Sequence, residues 1–179
     1  MKKSLIIIGI LAIIFIIVTI VVVNLTNNKT KDAIRDTINK NSNLPYTFLG
    51  QDDVIPTNYE VLNNFMSIDY SNNDIYFSYY GYPNDESEYR LGEITLLTNK
   101  YNILGVKKGD NMAKSIEEIQ KYGFKLEDRN NALIAVLKNG DITITLETNF
   151  DNIYEPESSY EVEKINIKAA SKYLGSNLY

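Results

Sequence analysis

The run SNNDIYFSYY at residues 71–80 and the run KNGDITITLE at residues 138–147 decide the fold that this sequence predicts. Each begins with a turn-forming segment of Asn, Asp, Ser or Gly and continues with apolar residues at alternate positions. An alternation with a period of two is typical of a strand that has one buried face. Both runs therefore predict the turn and the second strand of a β-hairpin.

A second pair of segments follows the two hairpins in the same order. They share one apolar pattern: Tyr89-x-Leu91-x-x-Ile94-x-Leu96 and Tyr160-x-Val162-x-x-Ile165-x-Ile167. The chain therefore contains an internal repeat with a period of about 67 to 71 residues. Because the alternation shifts at the same point in both copies, the pattern predicts a bulge or a twist there.

One helix is predicted between the two copies. Asp110 or Asn111 caps it, it runs to about Tyr122, and Gly123 ends it. Its buried stripe is Met112, Ser115, Ile116, Ile119 and Tyr122. In the first copy, TNYE at residues 57–60 fits either a capping box at the start of a helix or a strand.

These elements predict an α+β protein whose antiparallel sheet is built from two β-meander repeats with one or two packed helices. We expect the first, β-rich repeat at residues 44–101 and the second, helix-plus-β repeat at residues 102–179. Residues 24–43 are predicted to be a polar juxtamembrane link followed by a short helix that Thr30 caps.

An apolar segment near the N-terminus predicts a membrane anchor at residues 5–23. It carries no charge, and a helix of this length covers about 28 Å, close to the thickness of a bilayer core. A cleaved signal peptide is the alternative, but the segment is longer than a usual signal core and lacks an A-x-A-like site. The lipid bilayer is thus one expected partner, through residues 5–23.

The orientation of the anchor is predicted from its short N-terminal flank. Residues 1–4 contain Lys2 and Lys3 and are expected in the cytoplasm, although basic residues also follow the helix. We therefore expect a single-pass cell-membrane protein with its N-terminus inside and its C-terminal domain outside.

Composition excludes several classes of function. The chain has no Cys and no His, so a disulfide framework, a catalytic thiol and the commonest general base and zinc ligand are missing. A formal net charge of −5 argues against a nucleic-acid partner. The GVKKGD run at residues 105–110 lacks the spacing of a phosphate loop, and no acidic cluster has the spacing of a calcium loop. We predict no catalytic residue, no metal, no cofactor and no enzymatic activity.

Tyrosines mark the candidate binding surface. If Phe77 and Tyr79 face the core, Tyr76 and Tyr80 point outward, with Tyr82 near the following loop. Exposed tyrosines offer large, rigid contact areas and are enriched at interfaces. The alternative is ordinary tyrosine packing on a strand that the helix covers.

The segment Ile103-x-Gly105-Val106-x-x-Gly109-Asp110, with the helix, Gly123-Phe124 and the strands that follow, resembles a repeat of bacterial envelope proteins. It is similar to the beta-lactamase-inhibitor-protein-like and small outer-membrane lipoprotein group. The resemblance covers residues 103–167, and the Gly-x-Pro that often follows the helix in that group is absent. It implies a helix packed on one face of an antiparallel sheet, and a protein-binding or envelope-maintenance role without catalysis.

Together these observations predict a non-catalytic extracytoplasmic interaction module that binds a protein or cell-envelope partner near the membrane. Two alternatives remain at this point. One is a hydrolase of envelope polymers that uses acidic residues, and the other is an accessory or immunity-type membrane protein that acts through its helix. Loss of turnover in single Asp or Glu variants would identify the first, and loss of function on exchange of the anchor would identify the second.

Overall fold

The computed structural model describes residues 2–50, 60–64, 67–80, 90–130, 133–149 and 156–170, with side chains for all of these except 2–11, 22–31, 60–64 and 130. The protein is α+β. The helices are α1 (Lys2–Asn41) and α2 (Met112–Gln120), with one 3-10 turn at Glu157–Ser159. The strands are β1 (Glu60–Asn64), β2 (Ser67–Ser71), β3 (Ile75–Tyr80), β4 (Arg90–Leu96), β5 (Lys125–Asn130), β6 (Ile134–Asn139), β7 (Ile142–Glu147) and β8 (Lys164–Ala169).

All eight described strands form one antiparallel sheet in the order β1-β2-β3-β4-β8-β7-β6-β5. Strands β1 to β4 make one meander and β5 to β8 make another. The last strands of the two meanders, β4 and β8, pair with each other and place Ile94 opposite Ile167. The two repeats therefore continue into one sheet, and residues 37–179 form a single compact unit.

The two hairpin turns lie where the repeated turn segments predict them. At the β2–β3 turn, the Asn72 side-chain oxygen accepts hydrogen bonds from the backbone N–H groups of Asp74 and Ile75, at 2.8 and 3.0 Å. At the β6–β7 turn, Gly140 has a φ of 59°, a conformation that glycine adopts without strain. Different residues thus stabilise the corresponding turn in the two copies.

The predicted shift in alternation has a different cause in each copy. In the first copy it is a bulge, since the β3–β4 register shifts between Ser78 and Tyr79. In the second copy, Tyr160 and Val162 are buried but lie before β8. Their carbonyl groups accept hydrogen bonds from Met112 and Gly109, at the start of α2. The shift in the second copy is therefore not a bulge within a strand, because β8 begins only at Lys164.

One face of the sheet is the apolar core. A row of facing residues crosses five strands and is fully or almost fully buried: Phe77, Ile94, Ile167, Ile144 and Leu137. Around Phe77, the rings of Tyr46 and Tyr70 lie 5.2 and 5.5 Å away between centroids. Phe77 and Tyr79 face inward, as their alternation predicts.

Helix α2 begins where its sequence predicts but ends at Gln120, so Tyr122 lies beyond the helix and is half-buried instead of completing the buried stripe. The Asn111 side chain accepts a hydrogen bond from the Lys114 N–H at 3.2 Å and caps the first turn. Gly123, with a φ of 83°, follows the last turn. The helix buries Met112, Ser115, Ile116 and Ile119 and makes its main contacts with β5, β6 and the 3-10 turn.

Strand β1 decides between the two predictions for residues 57–60. Glu60–Asn64 is a strand that pairs with β2. The start of the predicted capping box, at residues 57–59, lies outside the described residues.

Helix α1 corrects the prediction of a separate link at residues 24–29. The helix is continuous from Lys2 to Asn41. The segment between residues 24 and 41 contains neither Pro nor Gly, so no residue in it breaks a helix, although Asn and Thr are weak helix formers. Residues 1–36 form a compact unit of their own.

The side chains of α1 that the structure describes in the predicted membrane span are those of residues 12–21. Eight large apolar residues there are exposed: Ile13, Ile14, Phe15, Ile16, Ile17, Val18, Ile20 and Val21. In the part of the chain that is described with side chains, no helix combines the length and the apolar character needed to cross a membrane.

Candidate functional site

The polar face of the sheet, opposite the apolar core, carries the tyrosines that the sequence singles out. Strand register places Ser78, Glu93 and Lys168 in one row across β3, β4 and β8. The neighbouring row holds Tyr76, Thr95 and Asn166, each standing opposite the next. Polar side chains from both meanders therefore meet where β4 pairs with β8.

Glu93 is the centre of this arrangement. Its Oε2 accepts a hydrogen bond from the Tyr80 hydroxyl at 2.8 Å and lies 2.8 Å from the Lys168 Nζ. Its Oε1 accepts a hydrogen bond from the Asn166 Nδ2 at 2.9 Å. The Glu93 side chain is only 17% exposed, so these three donors replace most of its hydration.

The donors determine the charge of Glu93. Burial alone would raise the pKa of this carboxyl group, because it disfavours the charged form. Hydrogen bonds from Lys168, Tyr80 and Asn166 favour the charged form and together hold the pKa below its usual range. Glu93 is thus a carboxylate at neutral pH.

Tyr80 is held as a neutral hydrogen-bond donor. Burial raises the pKa of its hydroxyl group, and the bond to the Glu93 carboxylate raises it further. The Lys168 Nζ lies 5.9 Å from the centroid of the Tyr80 ring, within the range of a cation–π contact. Lys168 therefore contacts both the carboxylate and the ring.

Tyr76 occupies the other side of Ser78. The Ser78 hydroxyl donates to the Tyr76 hydroxyl oxygen at 2.9 Å. Burial raises the pKa of the Tyr76 hydroxyl group. The hydrogen bond from Ser78 lowers this pKa, and the nearby Asp69 carboxylate raises it. Asp69 stands opposite Ser78 on β2.

We call Tyr76, Ser78, Tyr80, Glu93, Asn166 and Lys168 the tyrosine cluster. The predicted residues Tyr76 and Tyr80 are both part of it and both half-buried, while Tyr82 lies outside the described residues. Helix α2 makes its main contacts elsewhere on the sheet, with β5 and β6.

Sequence reasoning missed the residues of the cluster that lie on β4 and β8. Glu93, Asn166 and Lys168 alternate with buried apolar residues in their strands, so their position on a polar face is visible in the sequence. Their meeting with Tyr80 depends on the pairing of β4 with β8, which no local pattern encodes.

The polar groups of the cluster are hydrogen-bonded to one another. Both Glu93 oxygens are engaged, and the tyrosine hydroxyl groups are fixed by the protein itself. Across the described ranges, no three Asp or Glu residues stand close enough together to hold a metal ion. What the cluster offers a partner is half-exposed aromatic surface with a lysine beside it.

No family model matches the chain, and no curated protein matches it. A solved structure of an extracellular protein containing an SCP domain, from Bacillus anthracis str. Ames, aligns over 66% of this chain and 41% of that chain, with 9% sequence identity and a TM-score of 0.32. This chain therefore spans less than half of the length of that protein.

Proposed function

We propose that the protein is a non-catalytic interaction module, tethered to the cell membrane by one helix, that binds a protein or cell-wall partner through the tyrosine cluster. The helix comprises residues 5–23, with the N-terminus inside the cell and the sheet domain outside. The observation that carries the proposal is the pair of half-buried tyrosines, Tyr76 and Tyr80, held in place on the polar face by hydrogen bonds to Ser78 and Glu93.

Fixed tyrosines favour binding because little conformational entropy is lost when a partner covers them. A free, rotamer-rich side chain costs about 0.5–1.5 kcal/mol when an interface immobilises it. Tyr80 has already been ordered by Glu93, and Tyr76 by Ser78. Their rings add contact area of the kind that dominates protein interfaces.

The lowered pKa of Glu93 supports a role without catalysis. Glycoside hydrolysis needs one carboxylic acid whose pKa is raised so that it can protonate the leaving group. Glu93 shifts in the opposite direction, and its bonds to three donors hold it charged. This makes it a poor general acid and a good structural anchor for Tyr80.

The proposed anchor is supported by the apolar character of residues 5–23. Among the side chains described there, the large apolar ones are exposed on the helix surface, as lipid-facing residues would be. The Thr19 hydroxyl donates to the Phe15 carbonyl at 2.8 Å, so this polar group is satisfied within the helix.

Crosslinking in living cells tests the proposal. The full chain and a variant with Tyr76→Ala and Tyr80→Ala are expressed at equal levels, crosslinked, and their neighbours identified by mass spectrometry. We expect one partner to be enriched by the unchanged chain and to be reduced about tenfold or more by the variant, since aromatic hot-spot residues each contribute about 2 kcal/mol or more.

A matched control distinguishes the loss of the tyrosine cluster from the loss of any two tyrosine side chains. Tyr101 and Tyr122 are also half-buried but lie outside the strands. The variant with Tyr101→Ala and Tyr122→Ala therefore removes two tyrosine side chains at other positions of the protein. This control should keep the partner. If both variants retain it while remaining folded by circular dichroism, the tyrosine cluster is not the binding surface.

A further inference from the structure

The tip of the β6–β7 hairpin carries the one Asn-Gly pair in this sequence, Asn139–Gly140. Asn139 is the last residue of β6 and is half-buried, while Gly140 follows it in the turn and is exposed. Glycine has no Cβ, so its backbone nitrogen is open to approach by the side-chain amide carbon of the residue before it. The pair can therefore close into a ring if neither group is held elsewhere.

The attacking group, the Gly140 nitrogen, is available in this turn. Asn139 and Ile142 close the hairpin as a facing pair, which leaves Gly140 outside the strand ladder. Among the backbone hydrogen bonds of the described residues, none has the Gly140 N–H as its donor. No protein hydrogen bond therefore has to break before this nitrogen reacts.

The group under attack, the Asn139 side-chain amide, is held only weakly. Its Nδ2 donates to the Tyr122 carbonyl at 3.3 Å, which is long for a hydrogen bond between nitrogen and oxygen. This is the one side-chain hydrogen bond of Asn139 within the described part of the chain. It engages the nitrogen that would depart, so the carbonyl side of the amide remains open to Gly140.

The corresponding turn of the first meander provides a contrast within the same protein. Asn72 stands where Asn139 stands in the repeat, but the next residue is Asn73, whose side chain crowds the approach. The Asn72 side-chain oxygen also accepts hydrogen bonds from the Asp74 and Ile75 N–H groups, at 2.8 and 3.0 Å. The first turn is thus protected by two bonds and a side chain that the second turn lacks.

We propose that Asn139–Gly140 is a self-modification site that converts by deamidation in the folded protein. The Gly140 nitrogen forms a bond to the Asn139 side-chain carbon, its proton passes to the amide nitrogen, and that nitrogen leaves as ammonia. Water then opens the five-membered succinimide at either carbonyl and gives aspartate or isoaspartate. Overall, one water is consumed and one ammonia released, with no oxidant, reductant or enzyme.

The modification weakens the contact between the hairpin and the end of α2. A carboxylate at residue 139 cannot donate to the Tyr122 carbonyl, and it lies beside the carbonyl groups at the negative end of the helix. Gly123 passes so close that an added Cβ there would lie 3.2 Å from the Asn139 Nδ2, which leaves little room for a repelled side chain to move away. The end of α2 therefore loosens irreversibly as the molecule ages.

The inference goes beyond the proposed function because it involves neither the anchor nor the tyrosine cluster. It assigns a chemical change to the second meander, whereas partner binding is proposed for the first. Loss of either proposal leaves the other standing.

Peptide mapping by mass spectrometry tests the chemistry. The full chain in nanodiscs of phosphatidylcholine is incubated at neutral and at mildly alkaline pH, and conversion of residues 139 and 72 is followed over time. We expect residue 139 to convert at least about tenfold faster than residue 72, and faster at the higher pH because the attacking nitrogen must lose its proton. Both aspartate and isoaspartate should form.

Three results would overturn the proposed chemistry. Equal rates at residues 139 and 72 would mean that the turn does not promote the reaction. Aspartate without isoaspartate would mean direct hydrolysis of the amide instead of ring closure. Conversion of residue 139 only after unfolding in urea would mean that the native turn prevents it.

Two variants test the structural consequence by amide hydrogen exchange in the turn after α2, residues 121–124. Asn139→Asp carries the charge of the product, and we expect it to lower protection there by about tenfold. Asn139→Gln is the control, because it keeps an amide but would need a six-membered ring to react. It should remain unmodified and keep protection within about threefold of the unchanged chain. Unchanged protection in Asn139→Asp would show that the modification leaves the end of α2 in place.

Discussion

Glu93 connects three strands through its side chain, and its charge state makes a prediction about stability. Because its folded-state pKa lies below the ordinary value of 4.5, the carboxylate contributes stability above pH 4.5 and loses it as the pH falls through the lowered pKa. We expect Glu93→Gln to cost about 1.5–3 kcal/mol in free energy of unfolding at pH 7, the range for hydrogen bonds to a charged group. At pH 3 the difference should be smaller. Urea denaturation at both pH values measures it.

Glu118 provides the comparison for Glu93. It pairs with Lys121 on the surface of α2, with its side chain 38% exposed. Glu118→Gln should therefore cost less than about 1 kcal/mol at either pH. If the two variants lose the same amount of stability, the three donors around Glu93 contribute nothing specific.

We expect the stability of helix α2 to depend on its N-cap residue, Asn111. Its side-chain oxygen accepts from Lys114 and its Nδ2 donates to the Ser158 carbonyl at 2.8 Å. Asn111→Ala removes both bonds and should cost about 1–2 kcal/mol, whereas Asn111→Ser keeps a capping oxygen and should cost about half as much. Thermal unfolding of both variants tests this order. Equal costs would mean that the bond to Ser158, rather than the cap, holds the helix.

Elements with local signals could be predicted from the sequence. The cap at Asn111, the positive φ of Gly123 and the outward direction of Tyr76 and Tyr80 all follow from residue types within one turn or one strand. The hairpin turns also follow, since Asn, Asp and Gly act on their own backbone.

The remaining features could not be predicted because they depend on contacts between distant segments. The tyrosine cluster needs β4 beside β8. The continuous α1 was missed for another reason. Polar residues suggested a link at residues 24–29, but a helix stops only where a residue breaks it or where its backbone groups find other partners.

At the scale of the whole molecule, the β4–β8 junction makes the two meanders one body. Its pairs place Ile94 against Ile167 and Leu96 against Ile165, and all four side chains are buried. A core that runs unbroken through the junction links the stability of each meander to the other. The first meander, which carries the tyrosines, is therefore stabilised in part by residues of the second.

Ile144 tests this coupling, because it is fully buried in β7 of the second meander. Ile144→Ala should destabilise the sheet by about 2–5 kcal/mol, the usual cost of such a cavity. If the sheet opens as one unit, amide hydrogen exchange of the full chain should show the same loss of protection in β3 as in β7. Thr145→Ala, on the polar face of the same strand, should change the free energy of opening measured by exchange in β3 and in β7 by less than about 0.5 kcal/mol. Loss of protection confined to β7 would mean that the meanders unfold separately. The tyrosine cluster joins Tyr80 to residues on both sides of the junction, so it would then be broken whenever either meander opens.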